Sequence, residues 1–229
     1  MEQLPIYISL VFTITTLLTA SLLYKTNTYS KSLLVIIISW LTLQAAISLS
    51  GFYFLTTGTP PRFALSIVPP VILIIGLLFT KAGKLFIDGL KSPALTLIHI
   101  VRIPVELTLY WLFLHQAVPE IMTFDGRNFD IFCGMTAPFI YYWGYVKNAL
   151  SRSILLAWNI ICLLLLINIV TTAILSAPFD FQKFAFDQPN IALVHFPFIW
   201  LPSFIVPVVL FAHIINIRRL IKNDDSNLA

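Results

Sequence analysis

The sequence predicts an all-helical membrane protein: one bundle of seven transmembrane helices over residues 1–229, with the N-terminus outside and the C-terminus inside. Of its residues, 59% are hydrophobic and 10% are charged, and the mean hydropathy is +0.91. A soluble domain has about 25% charged residues and about 45–50% apolar ones. Seven long apolar stretches and a one-sided distribution of cations complete the pattern. This composition excludes a soluble globule, a disordered chain and a nucleic-acid-binding protein.

The spans follow from the thickness of a bilayer, which a helix crosses with about 20 mostly apolar residues. The stretches are apolar throughout, without the alternation of membrane strands. Because backbone polar groups in lipid need internal partners, each stretch is predicted to be a helix. The fifth is the shortest and the most aromatic. The predicted spans are 5–24, 32–55, 63–80, 94–118, 131–146, 154–176 and 191–217.

The orientation follows from the positions of Lys and Arg, which are enriched on the cytoplasmic side of membrane proteins. With the N-terminus outside, ten cations fall inside and three outside. This surplus accounts for the basic pI, so the expected partner is the lipid bilayer of a plasma (inner) membrane, and no nucleic acid is expected. The inner cations are Lys25, Lys31, Lys81, Lys84, Lys91, Lys147, Arg152, Arg218, Arg219 and Lys222, and the outer ones are Arg62, Arg127 and Lys183.

A polar stripe on the fourth span is the main candidate site. His99, Arg102 and Glu106 are spaced by three and four residues, and Tyr110 follows four residues later, so all four share one helical face. At ~1.5 Å per residue, Arg102 lies about 12 Å and Glu106 about 18 Å along the span. Ionisable groups at such depths mark functional sites by default.

These residues are predicted to bind a small polar or anionic ligand or to couple to protons, in a small transport or ligand-binding protein. Arg102 would hold an anionic group or pair with Glu106. The alternative is a purely structural pair that neutralises its own charges. Polar residues of other spans that could face this stripe are Ser39, Gln44, Ser48, Asn159, Asn168, Ser203, His213 and Asn216.

A second set of polar residues lies on the predicted outer side. His115, Asp130 and His195 are weak candidates for a catalytic acid/base site, which would make the protein a membrane-embedded enzyme. No metal site is predicted, because HxxxH and HExxH spacings are absent. The run 124–130 is predicted to be a structured turn in which Asp130 caps the fifth span. A third possibility is a sensor or assembly subunit that docks a partner.

The predicted topology resembles that of microbial rhodopsins, which hold retinal on a lysine in the seventh span. No lysine lies between Ile191 and Ile217, so retinal binding is not expected. No other cofactor is predicted.

Overall fold

A computed structural model describes residues 4–27, 30–55, 58 and 61–222. The chain is 75% helical, with no strand among the described residues. Short 3-10 or π-helical turns extend or interrupt several helices, as is typical near prolines and helix ends. The described residues form α1 (Ile6–Thr26), α2 (Lys31–Leu49), α3 (Ala64–Phe79), α4 (Lys81–Asp88), α5 (Ser92–Ile98), α6 (Arg102–Leu114), α7 (Ile131–Phe139), α8 (Arg152–Leu175) and α9 (Val206–Lys222).

Five helical segments of the described chain are long and apolar enough to cross a membrane. They are α1, α2, α8, the continuous run Ser92–Leu114, and α9 with the turn before it, Leu201–Lys222. Helices α3 and α4 pass the same criteria together, although the chain bends by 90° between them. The all-helical, membrane-embedded class is thus confirmed with five or six spans. The seventh span and the orientation stay predictions.

The predicted fifth span is helical but irregular. Helix α7 has 9 residues and continues as a π-helical turn of 7 residues, Ile140–Val146. Pro138 inside α7 removes a backbone donor. At Gly134 an added Cβ would lie 2.8 Å from Cγ1 and 3.0 Å from the backbone nitrogen of Ile103. Only glycine therefore lets α7 pack this closely against the start of α6, where Arg102 lies.

The predicted start of the last span, residue 191, is wrong. A short 3-10 turn, Ala192–Val194, is followed by irregular chain, and the membrane-length helix runs from Leu201 to Lys222. Hydropathy alone predicted too long a span, because residues 191–200 are apolar although they are not continuously helical. Pro197 lies in this stretch, and a proline cannot continue a helix as other residues do.

Helix α9 occupies the centre of the bundle and packs against α8, α5 and α3. Helix α2 is peripheral, with the smallest buried fraction among the spans. Two indoles tie it to the segment before α9: Trp40 Nε1 donates to the Ser203 carbonyl at 2.8 Å, and Trp200 Nε1 donates to the Leu41 carbonyl at 3.0 Å. Because α9 is central, its residue His213 lies buried in the middle of the bundle.

Candidate functional site

Arg102 is the centre of a buried polar network. It is the first residue of α6, directly after the 3-10 turn His99–Val101, and its exposure is 3%. Its Nη1 donates to Asp130 Oδ1 at 2.8 Å and to the Cys162 carbonyl at 3.3 Å. Its Nη2 lies 2.8 Å from His213 Nε2. One guanidinium thus links α6, the start of α7, α8 and α9.

The pairing of Arg102 with Glu106 within one helix is a wrong prediction. The ion pair that the structure describes joins Arg102 to Asp130, which is 28 residues away in sequence. A guanidinium presents its N–H donors as a rigid fork. Three acceptors from three other segments bind the two terminal nitrogens of that fork, whereas Nε has no partner among the described atoms.

Asp130 also differs from its predicted role. Its side chain does not cap α7, although Asp130 occupies the N-cap position. Its exposure is 5%, and it turns inward to Arg102. The buried guanidinium offers Asp130 a full counter-charge together with a charge-assisted hydrogen bond. Asp130 therefore belongs to the inner network.

Glu106 is held by Asn128, a residue that was predicted only as part of the outer turn. Asn128 Nδ2 lies 2.6 Å from Glu106 Oε1 and 2.7 Å from Oε2, and it also donates to the Met122 carbonyl at 3.0 Å. Asn128 Oδ1 accepts from the Asp130 backbone N–H at 3.1 Å. One amide therefore connects the two acidic residues. Nothing local in the sequence distinguishes Asn128 from a solvated loop residue.

The predicted turn around Asp125-Gly126 is confirmed, and it explains how Asn128 reaches the interior. The Thr123 carbonyl accepts from the backbone N–H groups of Gly126, at 3.0 Å, and Asn128, at 3.1 Å. A Cβ at Gly126 would overlap the Glu120 carbonyl oxygen and lie 2.7 Å from Ile121 Cα. The turn is therefore folded back on its own backbone.

Two histidines extend the network away from Arg102. The His99 ring stacks on His213 with centroids 3.9 Å apart and planes 19° apart. His213 Nδ1 lies 3.0 Å from Asn159 Oδ1. Because Arg102 can only donate, His213 Nε2 is assigned as an acceptor and Nδ1 as the protonated nitrogen. Neither nitrogen of His99 has a hydrogen-bond partner among the described atoms.

The predicted stripe therefore divides into two parts. His99, Arg102 and Glu106 all point into the bundle and are buried. Tyr110 is half-buried, and its ring stacks on Phe124 with centroids 4.8 Å apart, one turn beyond the network. Tyr110 has no hydrogen bond to the network in the described structure.

The predicted polar residues of the other spans also divide. Asn159 and His213 join the network. Others bond elsewhere: Gln44 to Tyr53 OH, Ser48 to the Val194 carbonyl, Asn168 to the Arg127 carbonyl, Ser203 to the Ile199 carbonyl and Asn216 to Thr96 Oγ1. None of these bonds contributes to the network, and the bond of Ser203 stays within its own segment.

A cavity of about 80 Å³ adjoins the network and is lined by Glu106 and Asp130. The rest of its wall is largely apolar, apart from Asn190. Asn190 is 4% exposed, donates from Nδ2 to the Ala173 carbonyl at 3.0 Å, and has no partner for Oδ1. A water needs roughly 10–15 Å³ of such volume, so the cavity can hold a few waters or one small ion.

The three outer candidates do not form a catalytic group. His115 is exposed at the end of α6, whereas Asp130 pairs with Arg102. His195 stacks on Phe54 with centroids 4.3 Å apart, and its Nδ1 lies 2.9 Å from the Ile191 carbonyl. Burial lowers the pKa of His195, although that hydrogen bond opposes part of the shift. No hydrogen bond or ion pair joins the three in the described structure, which also contains no group of three His, Cys, Asp or Glu suited to a metal ion.

The comparisons with known proteins leave the site to be interpreted on its own geometry. No family model matches the chain, and no curated protein or solved structure matches it.

Proposed function

We propose that this protein is a small membrane transport or ligand-binding protein in which Glu106 is the binding group. The observation that carries the proposal is the cavity lined by Glu106 and Asp130 inside the bundle. A carboxylate buried in a membrane protein is costly, and such groups mark ion or proton pathways. Glu106 has 1% exposure, and the described hydrogen bonds to its carboxylate come from the single amide of Asn128.

The charges of the network favour a cationic ligand. Arg102 already forms an ion pair with Asp130, which leaves the charge of Glu106 opposite a neutral amide. An uncompensated buried charge costs several kcal/mol. A proton or a small cation at Glu106 removes this cost. An anionic ligand at Arg102, the other option that the sequence suggested, would add negative charge beside Asp130 and Glu106.

Ion flux into proteoliposomes tests this proposal. A potassium diffusion potential would drive uptake; a pH-sensitive dye would follow protons and radiolabelled sodium would follow sodium, with choline replacing sodium as the control cation. We expect an inward proton or sodium flux in the wild type and its loss in Glu106→Gln. Asp125→Asn makes the same chemical change at an exposed residue of the neighbouring turn and should leave the flux unchanged.

Two results would overturn the proposal. One is the absence of any flux above that of protein-free vesicles. The other is an equal flux in wild type and Glu106→Gln when both unfold at similar temperatures. Either result would favour the structural alternative, in which the network only holds the helices together, as in a docking subunit. An enzyme at the outer face is not proposed, because His115 and His195 lie in unrelated surroundings.

We also propose that the chain crosses a plasma (inner) membrane seven times, with residues 131–146 as the fifth span and the N-terminus outside. Contacts at the two ends of the bundle support this topology. Arg219 donates to Ser92 Oγ at 2.8 Å and to the Ile87 carbonyl at 2.7 Å, which brings two predicted inner segments together. The backbone N–H of Ala192 donates to the Ala117 carbonyl at 3.0 Å, which joins two predicted outer segments.

A further inference from the structure

A second cavity, separate from the network, opens between α2, α3, α4 and the start of α9. Its volume is about 810 Å³, and its wall is almost entirely apolar. Ile36 and Leu73 line it and are among the exposed apolar residues of α2 and α3. Because these helices are apolar enough to cross a membrane, the cavity continues into the surface that faces the lipid chains. We call it the α2–α3 groove.

The corner between α3 and α4 closes one end of the α2–α3 groove. Thr80 is the N-cap of α4 and accepts from the Gly83 backbone N–H at 3.1 Å. A Cβ at Gly83 would overlap the backbone of Leu77, so glycine permits the 90° bend. Helix α4 therefore turns across the end of the groove, with Thr80 and Gly83 in its wall.

Three lysines are direct sequence neighbours of residues that line this closed end. Lys31 lies between Ser30 and Ser32, which both line the groove, and Lys81 and Lys84 flank the lining residues Ala82 and Gly83. All three lysines are exposed. They stand at the first turns of α2 and α4, where the helix dipoles add further positive potential. The closed end of the apolar groove is thus positively charged.

We propose that the α2–α3 groove binds one anionic phospholipid, with an acyl chain along the apolar wall and the phosphate beside Lys31, Lys81 and Lys84. Lysines near a membrane surface attract anionic headgroups. The apolar wall selects an acyl chain over an extended peptide, whose backbone polar groups would lack partners there. The ligand is therefore a lipid rather than free phosphate, which would use only the charged end.

Lipid binding to delipidated protein in detergent tests this proposal. Native mass spectrometry and thermal unfolding would compare phosphatidylglycerol, phosphatidylcholine with identical chains, and sn-glycerol 3-phosphate. We expect the wild type to bind phosphatidylglycerol at least tenfold more tightly than phosphatidylcholine, with no stabilisation by glycerol phosphate. Equal affinity for the two lipids, stabilisation by glycerol phosphate alone, or a lipid-free dimer that blocks lipid binding would overturn the proposal.

Two variants separate the charged end from the apolar wall. The triple variant Lys31→Gln, Lys81→Gln, Lys84→Gln should lose the preference for phosphatidylglycerol, whereas Lys183→Gln, in a different loop, should keep it. Gly76→Leu places a side chain where no atom lies within 4 Å of the added Cβ, so it fills the groove and should weaken binding of both lipids. Unchanged lipid binding in both the triple variant and Gly76→Leu would also overturn the proposal.

Discussion

The ion pair between Arg102 and Asp130 allows a quantitative test of the network. Its side chains are 3% and 7% exposed, and Nη1 and Oδ1 lie 2.8 Å apart. Asp130→Asn removes the counter-charge and leaves the guanidinium with two neutral acceptors, at His213 and Cys162. Breaking a buried pair on one side costs about 3–5 kcal/mol. Because two acceptors remain, we expect a loss of about 3 kcal/mol in the free energy of unfolding.

Replacing both Arg102 and Asp130 should lower the free energy of unfolding by less than replacing Asp130 alone. The double variant Arg102→Met, Asp130→Leu leaves no buried charge from the pair, and replacing both partners by apolar residues is often nearly neutral. It does leave His213 Nε2 without a donor, which costs about 1–3 kcal/mol. We therefore expect a loss of about 1–3 kcal/mol, well below the sum of the two single variants.

The assay is unfolding in detergent, by heat or by titration with sodium dodecyl sulfate, followed by circular dichroism. Asp125→Asn is the matched control, because Asp125 is exposed on the same turn and its substitution should change stability by less than about 0.5 kcal/mol. If Asp130→Asn is as mild as Asp125→Asn, or if the effects of the single variants are additive in the double variant, the reasoning is refuted.

Three further predictions concern the turn, the last loop and the topology. Gly126→Ala should lower the free energy of unfolding by about 1–3 kcal/mol, because the added Cβ meets backbone atoms. Gly76→Ala should raise it by up to about 1 kcal/mol, because Gly76 lies in a helix with open space around it. Thermal unfolding would compare the two variants. Burial lowers the pKa of His195. The contribution of the neutral imidazole to stability is therefore complete above the unfolded-state pKa of about 6.5 and is lost as the pH falls towards the folded-state pKa. The fall in melting temperature between pH 7.5 and 5.5 should be smaller in His195→Gln than in the wild type, and an equal fall in both would contradict this. An impermeant thiol reagent added outside cells should label Asp125→Cys and miss Lys222→Cys, and the reverse pattern would invert the topology.

The all-helical, membrane-embedded class and the buried face of the fourth span could be predicted from the sequence. Both depend on local properties: the length of apolar runs against bilayer thickness, and the 3.6-residue period that puts His99, Arg102 and Glu106 on one side. The same local reasoning placed the turn at Asp125-Gly126. Where prolines interrupt an apolar run, as at Pro197 before the last helix, hydropathy misplaced the boundary.

The partners inside the network depended on tertiary structure. Asp130 looked like a helix cap and Asn128 like a loop amide, because their local sequence does not show that Gly126 folds the turn into the bundle. The close packing of Gly134 on Ile103 then brings the start of α7 beside Arg102. Electrostatic partners of a buried guanidinium are chosen by distance in space, and here that partner is 28 residues away in sequence. The sequence could thus predict that Arg102 and Glu106 are buried, whereas only the packing of the helices and the turn decided that Asp130 joins them and how their charges are compensated.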